Sequence, residues 1–203
     1  MNELEKALQD IATIRSQIAR GHLFRGFGPL TMAATGVLAL VAAIVQTLWI
    51  ADPADHMNAY LAVWIATAVI SVALIGVETF TRSRRMHSDL ADELIHTAIE
   101  QFLPAAGAGA LLTLAIVHFR PQDEVLLPGL WQIIFSLGIF AASRSFPRAI
   151  FAVAAWYLLC GLGLLSFADK ATAFSPWLMG VPFFVGQMLM ATILSHGLGD
   201  DHA

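Results

Sequence analysis

Apolar residues run along this chain in six blocks, at 29–50, 59–80, 98–119, 125–143, 149–168 and 176–195. A helix that crosses a bilayer takes roughly 20 predominantly apolar residues, so each block predicts one span. The fourth is the shortest, and the third opens on Glu100 and Gln101. Every block holds glycine or other small residues, which let helices approach closely in lipid. Pro29, Pro128, Pro147 and Pro176 fall at or near helix starts, where a missing N–H is harmless. Pro104 and Pro182 lie further inside and predict kinks.

The polar stretches between blocks are uneven. Residues 51–58, 120–124 and 169–175 are too short to hold a soluble domain. The segment from Asn2 to Arg20 reads as an amphipathic helix, with Leu4, Leu8, Ile11 and Ile18 on one face and Asn2 as a cap. Ser88 is placed to cap a helix that starts at Asp89 and runs straight into the third span. The expected fold is therefore all-α, a polytopic membrane bundle of six transmembrane helices. Its parts are an amphipathic and interfacial segment (1–28), the bundle (29–196) and a short tail (197–203).

Composition agrees with the pattern. Of 203 residues, 58% are hydrophobic and 13% charged, against about a quarter charged in a soluble domain. Mean hydropathy is +0.71. The start of the chain lacks the short basic stretch and apolar run of a signal peptide. Cys160, the only cysteine, sits in an apolar block, so no disulfide framework is expected. No polybasic run points to nucleic acid.

Charge adds an orientation. Nine of the eleven Lys and Arg residues fall on one side of the expected spans: Lys6, Arg15, Arg20, Arg25, Arg82, Arg84, Arg85, Arg144 and Arg148. Only Arg120 and Lys170 fall on the other. The positive-inside rule places both termini in the cytoplasm. Trp49, Tyr60, Trp131 and Trp177 then lie near the outer interface, where an aromatic belt is expected.

Polar residues inside lipid are costly and face the bundle or a cavity. Several recur at helical spacing: Thr35, Ala39, Ala42 and Gln46 in the first span; Thr67, Ser71 and Glu78 in the second; Gln132, Ser136 and Ser143 in the fourth; Gly180, Gln187, Ala191 and Ser195 in the sixth. Interhelical packing explains such stripes, and so does a ligand or transport path through Glu78, Gln132, Ser136 and Gln187. Ionisable residues gather at the cytoplasmic ends. Glu93, His96 and Glu100 share one helical face, and the spacing Glu93-x-x-His96 is used in carboxylate-bridged di-metal bundles. Those bundles need the motif twice; here it occurs once. Glu78, His96, Glu100 and His196 form a candidate metal or proton site. A bis-histidine haem has one pairing at plausible depth, His96 with His196. No lysine lies in a span, and no nucleophile elbow, His-Glu-x-x-His or phosphate loop is present.

Leu126-Leu127-Pro128-Gly129-Leu130-Trp131, Pro147-Arg148-Ala149-Ile150 and Trp156-Tyr157-Leu158-Leu159-Cys160-Gly161 resemble a loosely defined group of uncharacterised bacterial six-span inner-membrane proteins. Phe27-Gly28-Pro29 and Pro104 with Gly107 resemble the same group. Where relatives carry Gly-His and Phe-Gly in the last span, this chain has Gly186-Gln187 and Ala191-Thr192. The resemblance implies a bacterial cytoplasmic membrane and transfers no activity.

The expectation is a non-enzymatic membrane protein acting through protein partners, lipid or a small ligand. A small-solute or ion transporter is the alternative, and a metal- or haem-binding redox protein a third. No resident cofactor is expected outside that third case. Expected partners are the bilayer, further copies of the chain and a cytoplasmic protein docking on the Asn2–Arg20 helix.

Overall fold

In the computed structural model the described residues are 28–86, 89–143, 146–167, 169 and 172–199, with side chains described except at 82–99 and 197–199. The Asn2–Arg20 helix and the two short terminal parts expected at 1–28 and 197–203 therefore lie wholly or largely outside them.

Among the described residues the chain is all helical, with no strand. Six α-helices follow one another: α1 (Pro29–Trp49), α2 (Met57–Met86), α3 (Asp89–Phe119), α4 (Leu127–Ala142), α5 (Ile150–Phe167) and α6 (Pro176–Gly199). Each contains a stretch, or for α4 joins one with the preceding turn, long and apolar enough to cross a membrane. The boundaries follow from local chemistry. Pro29 and Pro128 occupy the first turns of α1 and α4, where no N–H is needed. A 3-10 helix, Pro121–Leu126, leads into the fourth apolar block before α4 takes over. Helix α3 starts at Asp89 and continues without a break into the third apolar block. Both α3 and α6 continue helical through Pro104 and Pro182.

The helices pack in a ring in sequence order, antiparallel neighbour to neighbour, closed by α6 against α1. The α1–α6 and α4–α5 joints are the most extensive, and α2 barely touches α3. Gly28, at the start of α1, lies against the Glu78 carboxylate near the end of α2. That end of the bundle, which also holds the end of α6, is the proximal end here. The distal end is closed by Ala42, Ala43, Tyr60, Leu61, Trp64, Leu127, Phe174 and Met179.

Lipid tails are as apolar as leucine, so hydrophobicity does not draw spans together; close packing and hydrogen bonds do. The α4–α5 joint shows this. A Cβ at Gly161 would sit 2.7 Å from the Gly129 carbonyl oxygen, and one at Gly129 would sit 2.9 Å from the Gly161 oxygen. The two backbones meet where neither has a side chain. Gly180 faces Ala39 and Ala43 of α1 in the same manner.

Helices α2 and α3 differ from the others. They have 30 and 31 residues, or about 45 Å at 1.5 Å per residue. A hydrocarbon core is about 30 Å thick, and the apolar stretches cover only Met57–Thr81 and Glu100–Phe119. Helix α2 therefore continues for about one and a half turns, and α3 for about three, past the proximal end as the arms of a helical hairpin.

Candidate functional site

The buried polar side chains form the candidate site. Many of the hydroxyls in the expected stripes turn back on their own helix. Thr35 donates to the Met32 carbonyl, Thr67 to Val63, Ser143 to Phe140 and Ser195 to Thr192. This is how a hydroxyl is satisfied in lipid without a partner helix.

Three residues reach across. Gln46 is fully buried; its Nε2 donates to the Phe174 carbonyl at 2.8 Å and its Oε1 accepts from Trp64 Nε1 at 2.8 Å. One amide thus ties α1 to α2 and to the segment leading into α6. Ser136, also fully buried, donates to the Ala154 carbonyl of α5 at 2.7 Å. Gln132 Nε2 donates to the Leu178 carbonyl of α6 at 2.9 Å, with Met179 Sδ at 3.5 Å.

The Gln132 bond has a specific cause. Leu178 lies four residues before Pro182, and proline has no N–H to return to that carbonyl. An unsatisfied backbone group in a span costs several kcal/mol, so neighbouring side chains take it up. Two further donors meet the same turn of α6: Trp156 Nε1 to the Pro182 carbonyl at 2.9 Å, and the Tyr157 hydroxyl to Phe183 at 3.3 Å. Helices α4 and α5 together staple α6 at its proline.

Gln132→Leu is expected to lose about 0.6–1.7 kcal/mol, the range for interhelical hydrogen bonds in membrane proteins. Pro182→Ala restores an N–H for Leu178, so Gln132→Leu should then cost much less. A double-mutant cycle in denaturant reads the difference; equal costs in both backgrounds would show that the two residues are uncoupled.

The four residues of the expected path occupy different places. Gln132 and Ser136 bond to α6 and α5 as above. Gln187 lies in the α1–α6 joint, its Cβ 3.0 Å from where a Gly36 Cβ would be. Its side chain adjoins Tyr157, and its buried Oε1 has no hydrogen-bond donor. Glu78 sits apart on α2, beside Gly28, and has an interaction partner.

Of the expected metal or proton site, the His96 side chain lies outside the described residues. Glu100 and His196 are exposed, and His196 Nδ1 lies 2.8 Å from the Thr192 carbonyl of its own helix. Among the described residues no three His, Cys, Asp or Glu groups are placed to hold a metal ion.

A cleft of about 410 Å³ opens at the distal end between the α1–α2 connection and the start of α6, lined by Thr47, Asp52, Asp55, Phe174, Pro176 and Trp177 among others. The belt expected there is divided. Trp49 and Trp177 point outward, 83% and 47% exposed, whereas Tyr60 is fully buried. Its ring lies parallel to that of Trp131 at 6.3 Å.

Trp64, Trp156 and Tyr157, which hold helices together here, carried no sequence signal as polar anchors. The in-span Pro182 was the available clue, because it demands a donor from somewhere. No protein family, curated protein or solved structure matches the chain.

Proposed function

We propose that this chain is a non-enzymatic, multi-pass protein of a bacterial cytoplasmic membrane that acts through a protein partner docking on the projecting α2–α3 hairpin. The observation that carries this is the paired overlength of α2 and α3. Both leave the apolar stretch as regular helix on the same side, and only there does the described chain reach well beyond the bundle. A helical extension past the apolar stretch offers a regular surface for recognition by a partner. The extension carries Arg82, Arg84 and Arg85, then Asp89, Asp92 and Glu93. It lies on the side with nine of the eleven basic residues, which makes that side cytoplasmic. The basic residues also suit anionic lipid headgroups.

Transport has less support. Gln132 and Ser136 spend their donors on neighbouring backbone in fully buried positions. A metal or haem site rests on His96 and His196, of which His196 is exposed.

Two measurements test the proposal in the full-length protein carrying Cys160→Ala. Cysteines placed at 85 and 123 should react with a membrane-impermeant reagent from opposite faces, with 123 labelled in intact cells. A photoreactive residue at 84 or 93 should give one adduct of defined mass, lost when the hairpin is shortened by whole turns. Labelling of 85 in intact cells would reverse the orientation. Adducts with lipid or with copies of the same chain alone would remove the partner.

A further inference from the structure

Polar bookkeeping in the distal layer leaves two groups over. Gln46 and Trp64 are bonded to one another, and Gln46 also to Phe174. Trp131 Nε1 donates to Thr113 Oγ1 at 2.8 Å, and Gln132 Nε2 is committed to Leu178. The Tyr60 hydroxyl and Gln132 Oε1 remain, both in fully buried residues and both without a partner. They are complementary: a phenol donates and accepts, whereas an amide oxygen only accepts. They also border the same cluster. Tyr60 stacks on Trp131, the residue before Gln132, and Met179, which touches the Gln132 amide, packs in the cluster that holds Tyr60.

Leaving either group unpaired inside a low-dielectric layer is unfavourable, and buried polar groups in native proteins are almost always satisfied by protein or by ordered water. A buried water typically makes about three hydrogen bonds to such groups. We infer that a single water molecule is bound between Tyr60 and Gln132, accepting from the phenol O–H and donating one hydrogen to Gln132 Oε1. The site is a polar joint between α2 and α4, two helices that are not neighbours in the ring. It takes a small neutral hydrogen-bonding guest, since a phenol and an amide carry no charge to offset that of a buried ion.

Tyr60→Phe distinguishes a bridged hydroxyl from an orphaned one by sign. The ring stack with Trp131 and the edge contact with Phe174 survive the change, so the variant should fold. With the water in place, losing the phenol should lower the melting temperature of the purified protein by about 2–4 °C, the shift for a loss near 1 kcal/mol at this chain length. In the background Gln132→Leu with Pro182→Ala, where the Leu178 carbonyl no longer depends on Gln132, the same substitution should have little effect. An unchanged or raised melting temperature in the otherwise native protein would overturn the inference. So would an undiminished loss in the second background. In an experimental structure with ordered solvent, one density peak within hydrogen-bonding distance of both groups supports the site, and a direct Tyr60–Gln132 bond removes it.

Discussion

Replacing Gly161 with leucine is expected to separate α4 from α5 and to destabilise the bundle by at least about 3 kcal/mol, the upper end for overpacked cores. The reason is what the new side chain meets. A Cβ alone would lie 2.7 Å from the Gly129 carbonyl oxygen and 3.0 Å from the Ile133 nitrogen. Both atoms are backbone, so no rotamer change on α4 relieves the clash. The helices must move apart, and the Ser136 bond to Ala154 is stretched with them. Gly163, two residues along the same helix, is the control: nothing lies within 4 Å of a Cβ there. Gly163→Leu should unfold in denaturant close to the native protein. Helix propensity favours leucine over glycine at both positions, so equal losses at 161 and 163 would show that the α4–α5 contact is not what sets the cost.

Gln46→Leu comes next in expected size, with a loss of about 1–3 kcal/mol for two interhelical bonds. Leucine is close in bulk but leaves the Phe174 carbonyl and Trp64 Nε1 without their partner. Trp64→Phe removes one of those groups in advance. In that background Gln46→Leu should cost measurably less, and the shortfall is the coupling between the two residues. Full additivity would mean that Trp64 finds another acceptor when Gln46 is gone. The change should also loosen the segment before α6, because Phe174 anchors the distal cluster through its ring contact with Tyr60 at 5.2 Å. Faster exchange of amides around residues 172–175 would report this.

The six long apolar helices were legible because the signal is one-dimensional. Length and apolar content decide whether a segment can cross lipid, and both are read along the chain. The continuous helix from Asp89 into the third block was legible too, from Ser88 and the polar turns that follow. The overlength of α2 beyond Phe80 was not, since Arg82, Arg84 and Arg85 end the apolar pattern while remaining good helix formers. At the site, Gln132, Ser136 and Gln46 stood out as polar residues in apolar runs. Their partners did not, because each partner is a backbone carbonyl or an indole on another helix. Tyr60 shows the same limit: its position in the chain set its depth, and only packing turned it inward.

By itself the sequence determined the number of long apolar helices among the described residues, the length of each apolar stretch, the imbalance of basic residues between alternate connections and the position of each polar group along its helix. All of these depend on distance along the helix axis. The tertiary structure alone decided which way each side chain turns: which helices are neighbours, that Gln132 serves the carbonyl freed by Pro182, and that Gly129 and Gly161 meet. Those facts depend on rotation about each helix axis. An apolar helix in lipid has no polar face to set that rotation, so contact with its neighbours sets it.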